Sequence, residues 1–363
     1  MPHWNASQLI LSVREAIRQF ESHAFFRLNF LAVASNGLGD NISSMPRLLP
    51  LTVHQKQRLR VLEPALKSAA RVGDYSSAQR ITAEIQLLLR PTGHETRLQQ
   101  DKAWLFEAAM EAGELETAER GFIGVRKKTV AGTRTYLEAT ALLAICYLRK
   151  NRLDLAEPMI AETLKREKNI GSEARRRKFI RAVVKRFEEE GALASLKGYG
   201  DEVLDPDDVQ SEAGKMIRTL TEDEVFANLG RSLPKKTVAY LLKIDLFARG
   251  QLPSAEVRYL PLPEELVKHS ELGRTVFSSI RRVLYRSLCD PESDVYKAWY
   301  NQGLMAVLDR RYLAIAVTTA LSGMSIGVKA LGVSATALLI KIGIEVFCDR
   351  YKPSGVMEER QKK

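Results

Sequence analysis

Gly73-Asp-Tyr-Ser-Ser-Ala78, Gly113-Glu-Leu-Glu-Thr-Ala118, Asn151-Arg-Leu-Asp-Leu-Ala156 and Gly191-Ala-Leu-Ala-Ser-Leu196 follow one another at intervals of about 40 residues, a period that belongs to stacked helical hairpins. Apolar residues precede the turns at three- and four-residue spacing, as one helix face requires. Leu143, Ala144 and Tyr147 do so before Asn151, and Ile180, Val183, Val184 and Phe187 before Gly191. After the first three turns, Ala78, Ala118 and Ala156 open a second helix with a small side chain that lets two helices approach, and Phe122 and Ile160 follow four residues later.

The turn glycine, the alanine five residues on and the bulky residue four beyond it resemble the tetratricopeptide pattern from Arg60 to Leu196. The spacing runs longer than is usual in that family, and Trp104 lies off its tryptophan register. The fourth unit loses its second-helix pattern at Gly198 and Gly200, where a terminal repeat would cap the stack. HEAT-like pairing is the alternative. The resemblance implies a concave groove lined by the first helix of each pair and suited to a peptide. Carried across, the groove positions are Arg60, Lys67 and Arg71 in the first unit, Glu107 and Glu111 in the second, Arg149 in the third, and Lys178, Arg181 and Lys185 in the fourth. That groove is mainly basic. The asparagine-plus-lysine set by which some members clamp a C-terminal carboxylate is missing.

Arg175, Arg176, Arg177 and Arg186 extend the fourth unit's basic residues into a patch over about three helical turns, set largely away from the Phe179/Ile180/Val183/Val184/Phe187 face. A solvated or protein-contacting face is the ordinary reading, offset by Glu188, Glu189 and Glu190; phosphate contact by nucleic acid or anionic lipid is the other. No aromatic row accompanies the patch to stack single-stranded bases.

The 363 residues suit about two domains, and a hydrophobic content of 45% with 13 prolines indicates a mostly folded chain. The net charge of +11 favours acidic partners. Cys146, Cys289 and Cys348 are odd in number and far apart, which points to a reducing compartment with neither a disulfide framework nor a metal knuckle. His3, His23, His54, His94 and His269 are equally dispersed, so no metal site is expected. The start, Met-Pro-His-Trp-Asn, lacks the layout of a secretory signal, and a cytoplasmic location is expected. Asn5-Ala-Ser7 reads as a helix N-cap region, Leu9, Ile10, Val13, Ile17 and Phe20 as an amphipathic cap helix, and Gly37-Leu-Gly39 as a loop.

The acidic run Asp201 to Asp208 breaks the chain, with Asp205-Pro206 starting a helix, and Thr221 with Glu224 forms a capping box. Pro253 to Pro263 reads as an extended connector. Tyr312 to Val328 and Ala330 to Ile340 are uncharged and read as an apolar hairpin, with Lys341 and Glu345 paired at i,i+4 on its second segment. Small residues Ala316, Ala320, Gly323, Gly327 and Gly332 mark its packing face, and Gly323 to Gly327 is a GxxxG match. Seventeen uncharged residues fall short of the ~20 that span a bilayer, so a protein-packed hairpin and a membrane-inserted one are both open. Arg310, Arg311, Arg350 and Lys352 would hold both ends on the cytoplasmic side.

The expected fold is all-α: an N-terminal helical cap and loop (1–49), tetratricopeptide-like repeats (50–200), a C-terminal helical domain (201–311), an apolar helical hairpin (312–348) and a polar tail (349–363). The expected function is non-catalytic: a scaffold or adaptor that binds a protein or peptide through the basic groove, with no cofactor. The alternatives are a membrane-active or membrane-anchored effector using residues 312–348, and a nucleic-acid-binding protein using the helix at 175–186. No nucleophile–base pair, phosphate loop or metal constellation supports an enzyme.

Overall fold

A computed structural model describes residues 48–360 apart from 201, 202, 259, 261–267, 292, 294 and 298–309. The expected cap helix, the Asn5 cap and the Gly37 loop lie outside the described residues. What is described is helical, without a strand; Tyr199 and Ile326 form an isolated bridge.

Three of the expected turns close three helix pairs. α1 (Val53–Val72) starts on a reciprocal Thr52/Gln55 capping box and stops at Gly73, whose φ of 74° an L side chain rarely adopts. α2 (Tyr75–Leu89) is capped by Asp74, which accepts from Ser77 N at 2.9 Å. α3 (Glu95–Glu111) and α4 (Leu115–Lys128) flank Gly113, and α5 (Arg134–Arg149) and α6 (Leu153–Lys165) flank Asn151, both left-handed. Ala78, Ala118 and Ala156 are buried where the paired helices meet. α1 packs on α3, and α3 on α5.

The fourth turn does not exist. α7 runs unbroken from Glu173 to Leu196, and Gly191 lies inside it. Its missing side chain makes room for α10 (Lys235–Gln251): a Cβ there would collide with Ile244 and stand 3.0 Å from Tyr240 Cε1. α7 packs on α5, on α10 and on α12 (His269–Cys289).

α7 also joins two hydrophobic cores. Phe179 to Phe187 belong to the core of the three pairs, whereas Ala192 and Leu196 belong to a second core, built from α8 (Pro206–Thr219), α9 (Glu222–Arg231), α12, α13 (Arg310–Ser322), α14 (Lys329–Ile342) and α15 (Ile344–Arg350). Asp205 caps α8 with Pro206 in its first turn, and Thr221 with Glu224 boxes α9, as their sequences require. In the Pro253 connector the described residues form the short helix α11 (Ser254–Val257).

The apolar segment differs in detail from a two-helix hairpin. Gly323 and Gly327 lie in the turn between α13 and α14, not on a helix face, and Gly327 N donates to Tyr199 O at 3.0 Å. Gly332 is buried in α14, where an added Cβ would meet Val209, Leu204 and Leu321 at ordinary van der Waals distance; Ala316 is buried and Ala320 half-buried. Gly343 separates α14 from α15, which are bent 90° to each other, so Lys341 and Glu345 sit on different helices. Among the described residues no single helix is long and apolar enough to cross a membrane; only the bent pair α14–α15 has the combined length and composition. The residues from Leu331 to Leu339 are all buried in the protein, which accounts for α14 being apolar all round.

Cys289 and Cys348 form a disulfide between α12 and α15, contrary to the expectation from their spacing. The fold brings together two positions separated by 59 in sequence, a proximity that sequence distance does not report. Cys146 is buried and free.

The α9–α12 crossing depends on bare backbone. A Cβ at Gly230 would collide with the His269 carbonyl, and one at Gly273 with the Phe226 carbonyl. Ordinarily a Gly-to-Ala change inside a helix is worth up to ~1 kcal/mol of stability. Gly124→Ala, with open space at its Cβ position, is expected to follow that rule, whereas Gly230→Ala is expected to destabilise by about 1–3 kcal/mol through overpacking. Denaturant unfolding of the two variants beside the parent checks the opposite signs.

Candidate functional site: a groove filled by the C-terminal segment

Residues 351–360, expected as part of a polar tail, return to the first core. Val356 and Met357 are buried in it, and Met357–Arg360 form a 3-10 turn. The segment lies along the first helices of the pairs. Val356 N donates to Glu107 Oε1 of α3 at 2.6 Å, Glu358 pairs with Arg71 of α1, and Ser354 O accepts from Arg282 of α12 at 2.8 Å. Arg360 is the anchor: its guanidinium donates to Glu138 Oε1 at 2.7 Å, to Gln100 Oε1 at 2.6 Å and to Thr135 Oγ1 at 2.9 Å. Glu138 is fully buried and also accepts from Arg134 at 2.8 Å. At Gly355 the backbone lies directly on Glu107, and a Cβ would stand 2.6 Å from its Oε1.

The structure therefore brings some expected groove residues together and separates others. Arg71, Glu107, Glu111 and Arg149 converge, but the last three are interior, where an open groove had been expected. Arg60 is exposed on α1 and Lys67 half-buried; Lys178, Arg181 and Lys185 are exposed on α7. Of the basic patch, Arg175 is exposed, Arg177 pairs with Glu173 and stands 3.8 Å from Glu256, and Arg176 stands 4.0 Å from Glu167. Arg186 is buried, because α7 is covered on that side by Glu111 of α3 and by α12, so the patch is not one free face.

Glu111 is the centre of this region. Arg149 Nη2 reaches its Oε1 at 2.8 Å and Arg186 Nη2 at 3.1 Å; Arg282 stands at 3.5 Å, and Arg286 pairs with Oε2. Glu190 shares two of these partners, with Arg149 at 2.9 Å and Arg186 at 2.5 Å. Burial opposes ionisation of both carboxyls, but the guanidiniums prevail and hold Glu111 well below its ordinary range and Glu190 at about 2. Glu107 lies outside the guanidinium ring. Burial, with Glu111 adding to it, pushes Glu107 up to about 8, and its Oε2 has no hydrogen-bond partner. Burial and the neighbouring Arg282 lower Arg186, and burial lowers Arg286. Four guanidiniums, of Arg149, Arg186, Arg282 and Arg286, meet the two carboxylates Glu111 and Glu190, a local surplus of positive charge.

Glu138, Arg282, Arg286 and Arg360 were not singled out from sequence, and Glu190 was read only as an acid offsetting the basic patch. Glu138 had a readable signal, an acid inside the apolar stretch of α5, and Arg282 and Arg286 are four apart on one face of α12. Among the described residues, no group of three His, Cys, Asp or Glu side chains could hold a metal ion.

The carboxyls set a pH profile of stability. Glu107, with Asp101 at about 7 and Glu188 at about 8, binds protons in the fold more tightly than in the unfolded chain, so stability falls as pH rises from about 4.5 to 8. Glu111 and Glu190 have the opposite sign, and their contribution is lost as pH falls below about 4.5. Melting temperature is expected to peak near pH 5, and Glu107→Gln, which keeps an acceptor for Val356 N, is expected to shallow the alkaline slope. A parallel slope in that variant would remove Glu107 from the account. No family model, curated protein or solved structure matches this chain.

Proposed function

We propose that this chain is a non-catalytic recognition protein whose helical-pair groove receives an irregular peptide segment, and that residues 351–360 occupy this groove in cis. One observation carries the reading: the first helices of the pairs already hold an irregular chain segment through a main-chain donor, a buried apolar pair and a multiply bonded arginine. Those are the elements of peptide recognition in general, with backbone contacts giving affinity and side-chain pockets giving specificity.

The occupant defines the partner's chemistry. A competing peptide presents two adjacent apolar residues at the Val356 and Met357 positions, an acid beside them for Arg71, and an arginine two further on for Glu138, Gln100 and Thr135. A tethered segment acts at an effective concentration on the order of millimolar, so a partner in trans must bind well below that or meet a weakened segment. The rival readings gain no geometry: α14 is buried in protein, and Arg176, Arg177 and Arg186 face acids.

Arg360→Ala in the full chain removes the anchor and opens the groove. A fluorescent peptide of residues 351–360 is expected to bind this variant at micromolar Kd by anisotropy, and the parent at least about tenfold more weakly, since the parent's own segment competes. Adding Glu138→Gln to the opened chain is expected to weaken the peptide further, by about 1.5–3 kcal/mol for a hydrogen bond to a charged group. An opened chain that ignores the peptide would sink the reading.

A further inference from the structure

Beside the filled groove lies a second feature that peptide recognition does not use, a cleft of about 210 Å³ between α7, α12 and the C-terminal segment. Its charged lining is Lys185, Arg186 and Glu189 from α7, Arg281 and Arg282 from α12, and Lys352 and Glu359 from the segment. Five cations thus face two carboxylates. Glu189 stands 4.0 Å from both Lys185 and Arg186, too far to neutralise either fully. Arg186 and Arg282 form the cleft's inner wall and are drawn from the set of four arginines that share Glu111, so the wall backs onto the local surplus of positive charge. Arg281 stacks 4.9 Å over the Tyr351 ring, which fixes both at the rim.

Size and charge narrow the ligand. The volume is about seven water molecules' share of liquid, below the ~300 Å³ at which drug-sized pockets begin, so the ligand is compact. A single carboxylate would leave most of the positive lining unanswered. A phosphoryl group brings close to two charges and acceptor oxygens that match the guanidinium fork. Duplex nucleic acid is far too large to enter.

We propose that this cleft binds a compact, multiply charged phosphate ligand, a pyrophosphate or the phosphoryl end of a small ester, which bridges the α7–α12 face to the C-terminal segment. Lys185 meets it from the helix side and Lys352 from the segment side, with Arg281 at the rim and Arg282 on the inner wall. A ligand held by both sides binds the closed arrangement better than an open one and stabilises it by mass action. The segment supplies one wall of the cleft, so occupancy of the cleft is linked to closure of the groove.

Titrating the full chain with pyrophosphate in a calorimeter at low salt tests the site. Saturable one-to-one binding is expected, weakened at least about tenfold by Lys185→Glu and by Lys352→Glu. Both residues are exposed, so the fold tolerates the changes. Lys56→Glu, on exposed α1 far along the chain, is expected to leave the affinity unchanged. Hydrogen exchange at the amides of 354–358 is expected to slow at saturation. Absence of saturable binding, or equal weakening by Lys56→Glu, overturns the site; loss with Lys185→Glu alone, or unchanged exchange, overturns the bridge. None of these failures alters the outcome of the peptide assay, which reads the groove on the far side of Val356.

Discussion

Glu111 is the constraint on which the two halves depend. A carboxylate out of water carries a desolvation penalty of several kcal/mol, and only well-placed partners offset it. Here they come from α5, α7 and α12, elements that start between 23 and 158 residues downstream of Glu111 in the chain. Burying that one side chain therefore demands that the first core, the shared α7 and the second core all be in place. Two of the same arginines also satisfy backbone acceptors at the C-terminal end of α3: Arg149 donates to Met110 O at 2.6 Å and Arg286 to Glu111 O. Cations belong at that end of a helix, where carbonyls lack intrahelical donors.

This arrangement explains why the groove is polar inside yet filled. The guanidinium ring satisfies Glu111 and Glu190 but leaves Glu107, one helical turn earlier on α3, to be satisfied differently. A neutral carboxyl accepting a main-chain N–H is the low-cost solution, and the C-terminal segment supplies it. Glu138 repeats the pattern on α5 with a different answer: Arg134 and Arg360 pair with it. Two buried acids on neighbouring helices thus position one segment, one through its backbone and one through its side chain.

The local features were legible and the distant ones were not. Gly73, Gly113 and Asn151 announce turns because the left-handed conformation is a property of the residue itself, and Thr52, Asp205 and Thr221 announce helix starts for the same kind of reason. Gly191 carries the same letter for a different cause, the approach of Ile244 from a helix more than 40 residues away, and no local rule separates the two. Gly323 and Gly327 fit a packing motif by spacing yet serve a turn. For the site, helix-pair periodicity placed Glu111 and Arg149 on the first helices of successive pairs, and the structure pairs those two at 2.8 Å. Their burial depended on Arg282, Arg286 and the segment at 351–360, whose arrival is a matter of tertiary contact. The Cys289–Cys348 disulfide belongs to the same class.

That disulfide bears on how the segment is used. Cys348 pins α15 to α12 three residues before Tyr351, so the segment springs from a fixed root close to the groove it fills. A short tether from a rigid root gives a high effective concentration, which favours the occupied groove without requiring strong contacts. The contacts match that economy: two buried apolar residues, Val356 and Met357, a main-chain bond to Glu107, and charge-assisted bonds at Arg71 and Glu138. Such bonds hold position and register well but weaken on protonation or when another ion competes, whereas a large apolar interface would not. The segment is therefore fixed at its base by a covalent bond and held at its far end by ionic contacts, the ones most open to competition by other ions.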